Sequence, residues 1–131
     1  MRLSSKSHWD VPVEVNGKTI HILASHPTPP VFDGPEDRNG KRNHDEIRFW
    51  YDYISPEKSS YIYDDKGNKG GLKNDQSFVI LGDLNASNVD GDAVKEGISL
   101  LLNNEKIQDA MPKSQAGKKH SPDNSNAKYH T

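Results

Sequence analysis

Three side chains of this sequence stand where chemistry could be done: His26, Asp83 and Asn85. His26 closes an alternating apolar run and precedes Pro27. Asp83 and Asn85 follow Phe78-Val79-Ile80-Leu81 across Gly82, in the stretch SFVILGDLNAS, residues 77–87. A carboxylate can take a proton from water or hold a hard cation. An amide can donate to a phosphate oxygen, and an imidazole can polarise a phosphoryl oxygen or protonate a leaving group. Together they suit metal-assisted attack of water on phosphorus, with Asp83 able to hold the cation. Being two apart, Asp83 and Asn85 would point to one side of an extended chain. Gly82 would let another backbone or a ligand come close. On spacing alone, GDxN after a strand is more often a turn, and His before Pro more often a polar strand end. Their pairing at the ends of two strands flanked by long loops brings the functional reading level with the bland one.

A second group, Arg38, Lys41, Arg42, Asn43 and His44, precedes a helical pattern. Arg38, Arg42 and Asn43 are candidates for binding substrate phosphate at a helix N-terminus. A solvated loop accounts for the same residues. Asp83, Asn85 and Ser87 match alternate positions of a calcium loop. The glycine and closing glutamate of that loop then fall on Asn88 and Val94, so the EF-hand reading fails. His8, His21, His120 and His130 have no metal-site spacing, and the chain has no cysteine.

The elements that must position these residues follow from periodicity. Val11, Val13 and Val15 alternate with polar residues or proline, Asn16-Gly17 follows, and Ile20, Ile22 and Ala24 continue to Ser25. Asn-Gly between alternating runs predicts a hairpin with a type I′ turn. Pro12 places the first strand at an edge or a bulge. Residues 27–42 read as a long loop. A helix is expected from Asn43 to Ile54, with Asn43 as cap, Glu46 in the capping-box position, and Ile47, Trp50, Tyr51 and Ile54 on one face. Residues 55–76 read as a polar loop with turn chemistry at Asp64–Asn68. The apolar run at 78–81 reads as a strand buried on both faces. A second helix is expected over Ala93–Asn103, capped by Asp92. Residues 112–131 read as a loop or disordered tail. The order β-β-α-β-α implies an α/β fold with helices on at least one sheet face.

At 131 residues the chain is one domain at most, or part of one. Only 31% of it is apolar, against a usual share of about 45–50% with glycine counted. That expectation is a small core with long loops, or a piece of something larger. A net charge of −2 provides no global basic field for sequence-independent nucleic-acid binding. No apolar run approaches the roughly 20 residues of a membrane-spanning helix. The first seven residues lack the apolar stretch of a signal peptide, and the compartment is left open.

VILGDLNAS resembles the GDxNA signature of the endonuclease/exonuclease/phosphatase superfamily, the group that resembles deoxyribonuclease I. IHILASHPTPP resembles the strand that ends in that family's active-site histidine. LSSKSHWDVPVEV and HPTPPVFDGPEDRNGKRNHDEIRFW are similar to a bacterial branch whose members are often exported. The resemblance spans roughly residues 3 to 110. It implies a four-layer α/β sandwich and magnesium- or manganese-dependent hydrolysis of a phosphate ester, nucleic acid included. His26 would contact the scissile phosphate or leaving oxygen, Asp83 would orient or deprotonate water, and Asn85 would contact phosphate or metal. The family's metal-binding Asn and Glu lie upstream of anything present here, and its Ser-Asp-His motif is absent. The expectation is therefore a partial domain, weakly active at most, with an uncovered sheet face through which it could associate. Two other readings stand beside it. One is a non-catalytic module that binds anions or a partner. The other is an unrelated α/β domain, which would place His26 and Asp83 far apart.

Overall fold

A computed structural model of the protein describes residues 3, 4, 6–110 and 116. The expected tail at 112–131 lies outside the described residues, save position 116. Strand β1 spans His8–Val15 and β2 spans Lys18–Ser25, paired antiparallel with Val15 opposite Lys18. Asn16 and Gly17 between them have φ of 51° and 74°, the two left-handed residues that a type I′ turn needs. Helix α1, Arg38–Tyr53, carries the chain across to β3, Ser77–Leu81, which pairs parallel with β2. Helix α2, Lys95–Leu102, follows and packs on α1. The sheet order is β1-β2-β3, so Pro12 sits on an edge strand, where a missing N–H costs no ladder bond. The class is α/β, with a small mixed sheet and two helices.

One face of the sheet meets the helices. Leu23, Ile47, Trp50, Ile54, Leu72, Ile98 and Leu101 form its core, with Phe78 and Ile80 packed against them. The Trp50 indole N–H donates to Ser25 Oγ at 2.8 Å, satisfying the one polar atom that this large side chain buries. Asp10 bridges sheet to helix: it accepts from the Tyr53 hydroxyl at 2.5 Å and pairs with His21 Nδ1 at 2.6 Å. Burial, and then this bond to Asp10, push the Tyr53 phenol well above its ordinary pKa.

Several expectations need correction. Helix α1 begins at Arg38, not Asn43, so the loop after β2 is shorter than expected. The backbone N–H groups of Asn39 and Gly40 donate to Asp33 Oδ2 at 2.8 and 3.1 Å, so the cap comes from outside the helix. Asn43 lies in the helix interior, fully buried, and caps nothing. Helix α2 runs over Lys95–Leu102, with Val94 and not Asp92 at its N-cap position. The loop at 55–76 contains a short 3-10 turn, Ser59–Tyr61, and a bridge between Tyr63 and Lys69 closed by Asp64 chemistry.

The largest correction concerns the run Phe78–Leu81. It is not buried on both faces. Phe78 and Ile80 face the helices, but Val79 is 41% and Leu81 45% exposed. Registered with them across β2 and β1 are Ile22, Ala24, Ile20, Val11, Val13 and Trp9, the last 60% exposed. The second sheet face is thus apolar and uncovered by any described residue.

Candidate functional site

Strands β2 and β3 are parallel neighbours, so their C-terminal ends lie side by side. His26 follows one and Asp83 nearly follows the other. His26 Nε2 stands 3.9 Å from Asp83 Oδ2, with the side chains 50% and 69% exposed. That gap is too long for a hydrogen bond. It is short enough for both atoms to lie about 2.8 Å from one shared water or phosphoryl oxygen.

Gly82 makes the approach possible. Its φ is 133°, and an added Cβ would overlap the Ser25 carbonyl oxygen. Beyond it the chain leaves the extended conformation. Asn85 has φ of 50°, so the expected same-side projection of Asp83 and Asn85 does not hold. Instead the Asn85 N–H donates to Asp83 Oδ1 at 3.0 Å and holds that carboxylate in a turn. One amide N–H of Asn85 donates to the Pro27 carbonyl at 3.1 Å, which ties the β3 turn to the residue after His26. The turn reading of GDxN therefore holds for these residues.

Of the phosphate-binding candidates, Arg38 and Arg42 are exposed on the first turns of α1. Asn43 is not. Its buried amide donates to the carbonyls of Thr28 at 2.9 Å and Leu84 at 3.0 Å, while its Oδ1 is buried without a partner. Glu46, also buried, accepts from the Thr28 N–H at 2.5 Å, and its carbonyl faces His8 Nε2 at 2.8 Å. Sequence reasoning missed these roles. The available signal was that Asn39, Asn43 and Glu46 continue the stripe of Ile47, Trp50 and Ile54 towards the helix N-terminus. Polar residues on a buried stripe hold backbone.

Asp83 offers one carboxylate, and Asn85 Oδ1 has no protein partner among the described residues. These oxygens suit magnesium or manganese in kind but not in number. No three His, Asp or Glu side chains gather as a metal site among the described residues. Beside Asp83, an open groove of about 1200 Å³ runs along β3, lined by Phe78, Ile80, Leu84, Ile98, Leu101 and Ile107. No described helix is long and apolar enough to cross a membrane. No family model, curated protein or solved structure matches this chain.

Proposed function

We propose that the chain carries part of the active site of a phosphate-ester hydrolase of the endonuclease/exonuclease/phosphatase type. The observation that carries this reading is the 3.9 Å approach of His26 Nε2 to Asp83 Oδ2, open to solvent at two adjacent strand ends. Asp83 takes a proton from water as the water oxygen bonds to phosphorus. The P–O ester bond breaks, and protonated His26 gives its proton to the departing oxygen. Asn85 holds the Asp83 carboxylate through its backbone N–H and keeps a second amide N–H for a phosphate oxygen. Arg38 and Arg42, exposed on the first turns of α1, are the cations of this reading. Magnesium or manganese is the cofactor of this reading. It would neutralise phosphate charge, with Asp83 and Asn85 as two of its ligands and others from outside the described set. The sheet would then be one of two in a four-layer sandwich, its open face the buried one.

The test is metal-dependent hydrolysis of plasmid DNA and of a generic aryl phosphodiester. The purified chain would be compared with Asp83→Ala and His26→Ala. We expect weak hydrolysis that falls about 10²–10⁴-fold with either substitution. Rates equal across all three proteins would remove the catalytic reading for this chain.

The uncovered apolar face favours a second reading, a non-catalytic module that docks another apolar β-layer, with a further copy of this chain as the direct case. A concentration-dependent dimer that Val13→Lys abolishes, together with negligible hydrolysis, would favour it.

A further inference from the structure

We propose that the free edge of β3 takes an extended peptide segment as a fourth strand, one with apolar residues at alternate positions and lysine or arginine at its ends. The sheet order β1-β2-β3 gives β3 a neighbour on one side only. In a parallel pair, successive residues turn their N–H and C=O groups to opposite sides of the strand. Every second residue of Ser77–Leu81 therefore directs both groups away from β2. No bond from another described residue meets those groups. Sheet edges are normally guarded by proline or charge. The opposite edge strand, β1, carries Pro12 and exposed Glu14. Ser77–Leu81 carries no such guard.

The groove beside Asp83 lies along this edge. Phe78, Val79 and Ile80 all line it. Successive strand residues face opposite ways, so one groove touches all three only from the side of the strand. Phe78, Ile80, Leu84, Leu102 and Ile107, all in the lining, pack on the core yet stay half-buried. The core is therefore unsealed along this line. A strand laid here covers it with every second side chain while its backbone bonds to β3. Charge selects the ends of that strand. Asp83, Asp90 and Asp92, on the stretch between β3 and α2, line the groove, and Asp90 and Asp92 make no ion pair with a described residue. Lys106, the one cation of the described lining, is already engaged: it donates to the Ile54 carbonyl and to Asn74 Oδ1, both at 2.8 Å. Such walls complement a basic segment and repel an acidic one. This is pairing at the sheet edge, not docking on the open sheet face, and it does not rest on the phosphate-ester reading.

Fluorescence anisotropy with a labelled peptide, Lys-Val-Thr-Val-Thr-Val-Lys with blocked termini, tests this on the full chain. Comparison peptides carry glutamate for both lysines, or N-methyl groups on the valine amides alone or the threonine amides alone. These peptides leave the protein unaltered, so a loss of fold cannot explain their result. We expect binding by the parent peptide. One N-methyl set should weaken it about tenfold or more and the other should not, because only one set faces β3. Glutamate for lysine should weaken it about three- to tenfold. The double variant Asp90→Asn, Asp92→Asn should narrow that charge preference and keep the N-methyl contrast. In hydrogen exchange, alternate amides of Ser77–Leu81 should be open in the free chain and slow when the peptide is bound. No binding, or equal effects of the two N-methyl sets, overturns the proposal. So does protection of those amides in the free chain: in a monomer it shows that the chain fills its own edge, and in a dimer that a second copy does.

Discussion

Ser25 and Gly82 meet so closely at the ends of β2 and β3 that the Ser25 carbonyl oxygen fills the space a Gly82 Cβ would need. His26 follows the first residue and Asp83 the second, so this contact fixes the separation of the two candidate catalytic groups. Any larger residue must push the strand ends apart and must also adopt φ near 133°. Gly82→Ala should therefore cost about 2–4 kcal/mol of folding stability, combining backbone strain with overlap. Urea unfolding measures it. An unchanged midpoint would mean that the strand ends tolerate separation and that the site geometry is not set here.

Asn43 gives a second prediction. Replacing it by alanine removes the amide that donates to the half-buried carbonyls of Thr28 and Leu84, and should cost about 1–3 kcal/mol. Asn43→Asp is nearly the same shape, but its ionised carboxylate would face those carbonyls with no proton to give. Its loss should exceed that of Asn43→Ala at neutral pH and shrink in acid, where a protonated carboxyl can donate. Parallel urea titrations at two pH values check the ordering. Equal behaviour of the two variants would mean that water replaces the amide.

Local period carried the elements that could be read from sequence. Alternation on both sides of Asn16-Gly17 specified the hairpin, and the Ile47, Trp50, Ile54 spacing specified the buried stripe of α1. The helix start was not legible, because Asn43 and Glu46 imitate a capping box while the real cap, Asp33, reaches in from a loop. Gly40, a poor helix residue on propensity, also masked the helix start; the Asp37 side chain lies in the space a Cβ would take there. The burial of β3 was not legible either. A continuous apolar run gives no period, so it does not tell a strand buried on both faces from one whose second face is open, as Val79 and Leu81 are here. The approach of His26 to Asp83 could be anticipated from two strand ends. The tie of Asp33 to the first turn of α1 could not, since its bonds cross from loop to helix.

His8 predicts a pH dependence. It lies between Phe49 and Trp50 and hydrogen-bonds the Glu46 carbonyl. Desolvation lowers its pKa below the usual 6.5, against smaller opposing effects from Glu46. The unfolded chain then binds this proton more readily than the folded one, so stability rises with pH through the window below 6.5 and levels off above it. The thermal midpoint should fall as pH drops from 7 towards the lowered folded value. His8→Gln, which keeps a donor for Glu46 but does not titrate, should flatten that part of the profile. An identical slope in the variant would assign the dependence to other groups.

The open sheet face supports the last prediction, which separates two sources of stability in one small sheet. Leu23 and Val13 are both apolar strand residues, but Leu23 is fully buried under α1 and Val13 is 40% exposed on the opposite face. Leu23→Ala should cost about 2–5 kcal/mol, because it removes apolar contacts and leaves a cavity. Val13→Lys should change the stability of a monomer by no more than about 0.5 kcal/mol, since water already reaches that position. Urea unfolding at low protein concentration compares them. The same lysine should reduce binding of a hydrophobic dye, because the patch it interrupts joins Trp9, Val11, Ile22 and Val79 across three strands. A large loss from Val13→Lys would show that this face is covered in solution. The value of the experiment lies in its concentration dependence: a cover supplied by a second copy weakens on dilution, and a cover folded back from the same chain does not.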